Sequence, residues 1–308
     1  MSIPNKCKLI VGGPNRSGTS LLRAMVGSHS QVAIPFLEPK LHYHIRNTMK
    51  QLGLTDVNDK VIKVVLEKEK IKLLAIDPVK VDELINTYAK SEEGLYRAVL
   101  EAYAAKLNKP YYAEKTTYNE DYFYTYHGWF GSNLRFVYLI RNPLNTYASN
   151  AFYMGIKRSH DPVSWTQTWK KSVIKALALE QEFPNQFRII KFEDLVRDPA
   201  KAAEQLCHFM GLPIEVENMI SFKDYKDFDN SSFKNKDNSK KTGSIEDRSK
   251  EKRENHILPR IKNYIIAELA STAQELNYDI GSPSILGHVY KLRGIRHLIR
   301  LEGRSYGS

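Results

Sequence analysis

Residues 8–20 have the sequence Lys8-Leu-Ile-Val-Gly-Gly-Pro-Asn-Arg-Ser-Gly-Thr-Ser20. An apolar run leads into a glycine-rich turn, and residues 21–26 then carry an apolar helical face, so the pattern predicts strand, turn and helix. In such a turn, backbone N–H groups and the helix N-terminus converge on a phosphate. The hydroxyls of Ser17, Thr19 and Ser20 add further donors, and we therefore predict a phosphate-binding loop here.

Four further apolar runs have the length of strands, and helical patterns lie between most of them: Gln31–Ile34, Tyr111–Glu114, Leu134–Ile140 and Phe187–Lys191. Strands with continuous apolar sequence that alternate with helices are typical of a parallel sheet covered on both faces. We predict an α/β fold with a P-loop-like central parallel sheet flanked by helices, in one domain over residues 1–308. Asp161-Pro162 and Asp198-Pro199 predict two helix starts, because each places a capping carboxylate before a proline.

Three segments depart from this alternation. Residues 47–107 carry helical patterns and no strand signal, which predicts a helical insertion after the second strand. Residues 221–251 are rich in Lys, Asp, Asn and Ser, which predicts a mobile polar loop. Residues 284–308 interleave basic and apolar positions, as in a basic amphipathic helix.

The charge of the chain favours an anionic partner. With 46 Lys+Arg against 35 Asp+Glu, the formal net charge is +11, which suits nucleic acid, anionic membrane or a multiply phosphorylated nucleotide. No apolar run approaches the roughly 18–20 residues of a membrane span, so we expect no transmembrane segment and a cytoplasmic protein. Cys7 and Cys207 each lie in an apolar pattern and are expected to be buried free thiols.

The phosphate loop differs from that of ATPases and GTPases, because Thr19 occupies the position where their motif has lysine. Arg16 supplies a positive charge within the loop instead. The strand Leu134–Ile140 is followed by Arg141, where a magnesium-dependent enzyme needs a carboxylate to hold its metal; an arginine repels a cation and attracts an anion. Ser149 follows on the next helix, so we expect phosphate recognition without a metal.

These segments resemble the family of sulfotransferases that use 3′-phosphoadenosine 5′-phosphosulfate (PAPS). The family's 5′-phosphosulfate loop is similar to residues 16–20, and its 3′-phosphate site is similar to Arg141-Asn-Pro followed by Ser149. Residues 191–199 resemble the strand and helix that follow in bacterial and tyrosylprotein-type members, and the whole resemblance spans residues 8–215. The resemblance implies PAPS as co-substrate, adenosine 3′,5′-bisphosphate (PAP) as product, and the nucleotide-binding residues Arg16, Ser17, Gly18, Thr19, Ser20, Arg141, Ser149 and Phe192, with Ser232, Lys241 and Gly243 from the polar loop.

The resemblance also implies catalytic residues. In the family, a lysine at the place of Lys115 lies beside the transferring group, and cytosolic members carry a histidine base where this chain has Thr117. Tyrosylprotein-type members instead use a glutamate, and Glu38 lies about one residue from that place. Glu38 is thus the expected base, with a somewhat raised pKa in a half-buried site, and Lys115 and Arg16 are expected to stabilise the developing charge. His42 and His44 are the alternative bases.

The expected reaction is metal-free in-line transfer of a sulfuryl group to a hydroxyl of a small-molecule acceptor. An amine acceptor, a glycan or a tyrosyl peptide are the alternatives. A metal-dependent P-loop kinase conflicts with the missing lysine and with Arg141. A basic nucleic-acid-binding protein would account for the charge but leaves Lys115 and the loop unexplained, so we expect no nucleic-acid partner.

Overall fold

Five parallel strands form the centre of the computed structural model, which describes residues 5–154, 161–222 and 257–293 together with Ile245 and Asn255. Their order across the sheet is β2-β3-β1-β4-β5, and every pairing is parallel. The strands are β1 (Cys7–Gly12), β2 (Val32–Ala33), β3 (Tyr111–Lys115), β4 (Phe136–Ile140) and β5 (Phe187–Lys191). The predicted parallel sheet is therefore confirmed.

Helices occupy most of the chain between the strands. They are α1 (Thr19–Gly27), α2 (Leu41–Leu52), α3 (Asp59–Leu66), α4 (Glu69–Lys72), α5 (Pro78–Tyr88), α6 (Glu92–Lys106), α7 (Phe123–Phe130), α8 (Pro143–Met154), α9 (Pro162–Glu182), α10 (Phe192–Arg197), α11 (Pro199–Met210), α12 (Val216–Ser221), α13 (Pro259–Glu275) and α14 (Ile285–Arg293). Helices α2 to α6 lie between β2 and β3. This helical region begins ahead of the predicted boundary at residue 47, because Leu41, Ile45 and Thr48 already share one buried face.

The sheet is buried on both faces. Successive side chains of a strand point to opposite faces, so Leu9 and Val11 belong to one apolar core whereas Ile10, Phe136 and Tyr138 belong to the other. All five are 0% exposed. The continuous apolar runs in the sequence therefore arise because helices cover each side of the sheet.

The two predicted helix starts are confirmed. The carboxylate of Asp161 accepts a hydrogen bond from the Val163 N–H, and that of Asp198 accepts one from the Lys201 N–H. Helix α11 then ends at Gly211, whose φ of 64° lies in the left-handed region that glycine adopts most readily. Local capping chemistry thus fixes the bounds of α9 and α11.

Some predictions fall partly or wholly outside the described residues. Of the polar loop 221–251, the structure describes only Ser221, Phe222 and Ile245, and it describes the C-terminal helix only as far as Arg293. Within the described ranges, no helix is both long and apolar enough to cross a bilayer. Both cysteines are buried free thiols, as predicted. The assignment of residues 1–308 to a single domain stays a prediction.

Candidate functional site

The candidate site lies at the carboxyl ends of β1, β3 and β4. Strand β1 is central, with Val11 paired to Lys115 of β3 and Gly12 paired to Tyr138 of β4. Because these strands are parallel, the segments that leave their carboxyl ends emerge side by side. The sheet thus brings the phosphate loop, Lys115 and Arg141 to one edge.

The glycines of the loop permit very close packing. At Gly13, with a φ of 120°, an added Cβ would lie 2.3 Å from the Leu139 carbonyl oxygen. At Gly18, with a φ of 98°, it would lie 2.2 Å from the ring of Phe192. Both the backbone conformation and the available space therefore require glycine at these two positions.

The hydroxyl of Ser17 closes the loop. It donates to the Pro14 carbonyl oxygen at 2.7 Å, and the Ser17 N–H bonds the same oxygen at 3.3 Å. Helix α1 then begins at Thr19, so the first N–H groups of the helix lie at the end of the loop. Thr19 is buried and Ser20 is half-buried. Ser17 thus shapes the loop, whereas the α1 amides have the geometry of an anion site.

The predicted nucleotide-binding residues converge. The Arg16 Nε donates to the Ser149 hydroxyl oxygen at 3.3 Å, although 133 positions separate them. The Arg141 guanidinium carbon lies 4.5 Å from the centre of the Phe192 ring, and that same ring packs against Gly18. Contacts therefore join the loop to the segments that follow β4 and β5.

The predicted lysine and the predicted base form an ion pair. The Lys115 ammonium donates to one carboxylate oxygen of Glu38. The hydroxyl of Thr117 donates to the other oxygen at 3.4 Å. The Lys115 side chain is 2% exposed and that of Glu38 is 21% exposed. Thr117 thus also contacts Glu38.

The electrostatics of this pair correct one expectation. Burial by itself raises the pKa of the Glu38 carboxyl, but the ammonium of Lys115 and the charges of Arg23 and Lys40 together lower it by more. The net pKa lies below the ordinary value for glutamate, so the expected raised pKa is wrong. Burial also lowers the pKa of the Lys115 ammonium, and Arg23 lowers it further, against the opposing effect of Glu38.

Arg23 is a site residue that the sequence analysis missed. It lies on α1, is 4% exposed, and its charge acts on both Glu38 and Lys115. Residues 21–26 are otherwise apolar. Burying a cation in an apolar helical run is costly unless a negative charge or hydrogen bonds compensate it. An arginine at this place in the sequence could therefore have indicated a residue of the site.

Two further carboxyl groups lie behind the loop and were also missed. Glu120 accepts the Gly13 N–H at 3.1 Å and the hydroxyl of Ser172. Glu114 accepts bonds from the side chains of Thr116 and Asn119. Burial raises the pKa of each carboxyl to about 7. Glu120 holds the start of the loop, and nothing in its local sequence indicated that contact.

His42 lies in a different environment from the Lys115–Glu38 pair. Its Nδ1 is 2.7 Å from a carboxylate oxygen of Glu92. Its ring centre lies 4.1 Å from that of Tyr122 and 5.6 Å from that of Trp129. These contacts place His42 among the aromatic side chains of the helical region. The predicted loop residues Ser232, Lys241 and Gly243 lie outside the described residues.

Comparison with known proteins agrees with this geometry. A sequence model described as "Sulfotransferase family" matches residues 9–216, which is more than half of the chain. The chain belongs to the sulfotransferase family. Sulfotransferase 2A1 of Macaca fascicularis is 24% identical over 104 residues, which cover 29% of this chain and 36% of that relative. The matched part thus spans little more than a third of the relative's length.

Solved structures of sulfotransferase domains share the fold of this chain. The domain from the curacin biosynthetic pathway has a TM-score of 0.62 at 20% identity and covers 91% of this chain and 100% of that chain. The domain of the Synechococcus PCC 7002 olefin synthase has a TM-score of 0.60 at 18% identity and covers 90% and 97%, respectively. At these identities the likeness supports the fold alone. The predicted family and fold are both confirmed.

The raised pKa of Glu120 predicts a pH-dependent stability. The folded state retains this proton up to about pH 7, whereas an unfolded glutamate loses it near pH 4.3, so the free energy of unfolding falls as pH rises through this window. Glu120→Gln keeps an acceptor for Gly13 and removes the titration. From pH 5 to pH 8 the variant should therefore lose about 1–3 kcal/mol less stability than the wild type in urea unfolding.

The exposed Glu217 provides the matched control. Glu217→Gln should keep the wild-type dependence on pH. If Glu120→Gln shifted stability equally at pH 5 and pH 8, the Glu120 carboxyl would not be the group that titrates.

Proposed function

We propose that this protein transfers a sulfuryl group from PAPS to a hydroxyl of a small-molecule acceptor. One observation carries the proposal: the Lys115–Glu38 pair and the Arg16–Ser149 pair lie at the same edge of the sheet. The first pair offers a cation and a base, and the second offers donors for an anionic nucleotide. Membership of the sulfotransferase family supports the reaction class.

The donor set of the site suits a nucleotide with anionic groups at two ends. The loop and Arg16 would hold the 5′-phosphosulfate, while Arg141 and Ser149 would hold the 3′-phosphate. Guanidinium groups suit oxyanions because their planar donors form bidentate, charge-assisted hydrogen bonds. Arg141 also argues against a magnesium-dependent kinase, since it carries a positive charge where such an enzyme holds its metal.

In the proposed step, a new bond forms between the acceptor oxygen and sulfur as the bond from sulfur to the bridging phosphate oxygen breaks. Negative charge builds on that bridging oxygen, which leaves with PAP. Lys115 and Arg16 are the cations proposed to stabilise this charge. Because Lys115 is 2% exposed, its charge acts through little water and is weakly screened.

Glu38 is proposed to accept the proton of the acceptor hydroxyl. Its pKa is held down mainly by Lys115, so it is a weak base while that ion pair persists. When the ammonium of Lys115 interacts with the developing charge on the donor, it stabilises the Glu38 carboxylate less, and the pKa of Glu38 rises. The base then becomes stronger as the acceptor proton is released.

The acceptor class can be tested directly. The Glu38 side chain is 21% exposed, so an acceptor hydroxyl can approach its carboxylate. The protein would be incubated with PAPS and a panel of alcohols, phenols, amines, glycans and tyrosyl peptides, and the products would be identified by mass spectrometry. Sulfated hydroxyls of small molecules support the proposal. Sulfamates, sulfated glycans or sulfated peptides would show that the acceptor is an amine, a glycan or a peptide instead. If no member of the panel led to release of PAP, the proposed activity would be overturned.

The two-ended nucleotide site predicts strong preference for PAP over AMP. A charge-assisted hydrogen bond contributes about 1.5–3 kcal/mol, so loss of the 3′-phosphate should weaken binding roughly 10- to 150-fold. Calorimetric titration of both nucleotides measures this ratio. Arg141→Gln is the matched variant and should reduce PAP affinity towards that of AMP. Equal affinities in the wild type would contradict the 3′-phosphate assignment.

Replacement of Lys115 separates catalysis from binding. Lys115→Met should lower the single-turnover rate with the acceptor found by mass spectrometry by about 10²-fold or more, because the lysine acts mainly in the transition state, while PAP affinity changes little. The acid limb of the residual rate should also move to higher pH, since Glu38 loses the ammonium that lowers its pKa. A rate within a few-fold of wild type would leave Lys115 with a structural role only.

Replacement of Glu38 tests the base. Glu38→Gln keeps the shape of the side chain but accepts no proton, so the rate should fall about 10²- to 10⁴-fold with PAP binding preserved. The acid limb of the rate profile, which reports the ionisation of the Glu38 carboxyl, should disappear. His42→Gln and His44→Gln are the controls and should keep the acid limb. Loss of activity in His42→Gln with activity retained in Glu38→Gln would assign the base to the histidine.

A further inference from the structure

A second concave surface lies at the amino ends of the strands. It is a cavity of about 500 Å³ that is lined by Cys7 and Lys8 at the start of β1, by Arg135 just before β4 and by Arg188 in β5. Five strand residues rise about 17 Å. The cavity therefore lies at the opposite edge of the sheet from Arg16, and it is separate from the candidate nucleotide site.

The lining of this cavity is strongly basic. It includes Lys8, Arg135, Arg188 and His208, and none of the described residues that line it is aspartate or glutamate. A carboxylate oxygen of Glu204 lies 3.8 Å from the Nε2 of His208. Cations that converge in a concave surface repel one another, and an anion between them relieves this cost. The cavity thus has the charge of an anion site.

Uncharged groups, rather than carboxylates, position the two arginines. Arg135 donates from Nε to the Phe209 carbonyl oxygen at 3.1 Å, and from Nη1 to the carbonyl oxygens of Ser132 and Leu134 at 2.9 Å. The Arg188 guanidinium carbon lies 4.6 Å from the centre of the Phe209 ring. Carbonyl groups and an aromatic face orient a guanidinium and leave its full charge available to a ligand.

We propose that this cavity binds a small anion that carries two or more phosphate or sulfate groups. Arg188 supplies planar donors for bidentate bonds. Arg135 adds its charge and its Nη2 donors, since its Nε and Nη1 already bind carbonyl oxygens, and Lys8 supplies further charge at the rim. The uncharged residues Asn5 and Asn133 also line the cavity. The cavity volume lies within the usual range for small-molecule sites.

Pyrophosphate is the probe for the test. It is titrated by calorimetry into the wild type, Arg188→Glu and Lys201→Glu, each with one molar equivalent of PAP to occupy the candidate nucleotide site. Lys201 is exposed at the other end of α11 from Phe209, so its variant makes the same change of charge outside the cavity. Wild type and Lys201→Glu should bind alike. Arg188→Glu should bind at least about 10-fold more weakly, because an attractive charge becomes a repulsive one.

Equal pyrophosphate affinity in the three proteins, or no binding in the wild type, would overturn this site. The result is independent of the proposed function. If PAP failed to bind, pyrophosphate would also enter the phosphate loop in all three proteins, but only the cavity site would respond to Arg188→Glu.

Discussion

Parallel pairing of β1 with β3 on one side and β4 on the other is the constraint on which the candidate site depends. The register sets Val11 beside Lys115 and Gly12 beside Tyr138. A slip of two residues along β3 would keep the same side chains in each core but move Lys115 by about 7 Å. The packing of both buried faces of the sheet therefore stabilises the fold and also sets the geometry of the candidate site. It fixes the distance between the phosphate loop and the lysine that contacts Glu38.

The groups that surround each buried carboxyl determine whether it is ionised. Lys115 and Arg23 are nearly fully buried, and Glu38 lies close enough that both cations lower its pKa. Glu114 and Glu120 are more deeply enclosed and depend on uncharged donors, so burial raises their pKa values to about 7. Carboxyl groups in one small region thus differ in protonation because their neighbours differ. A cation keeps Glu38 ionised, whereas hydroxyl, amide and N–H donors leave the other two able to hold a proton near neutral pH.

The local parts of the fold and site were predictable from sequence, and the parts that depend on distant contacts were not. The glycine-rich turn and the Asp-Pro helix starts are short-range patterns with their own chemistry, so their positions were correct. The contact between Lys115 and Glu38 joins residues 77 positions apart. Without that contact, burial is the dominant influence expected on the Glu38 carboxyl, which explains why the expected direction of its pKa was wrong. Glu120 was missed for the same reason, because its partner Gly13 lies 107 positions away.

The ion pair also gives the proposed reaction an order. While Lys115 neutralises Glu38, the carboxylate binds a proton weakly and an acceptor hydroxyl has no strong base beside it. The donor contributes the negative charge that competes for Lys115, so the base gains strength only after the donor has bound. Arg23 remains beside the carboxylate throughout and limits how far its pKa rises. One buried lysine would therefore link donor binding to acceptor deprotonation, and this link requires no movement of the backbone.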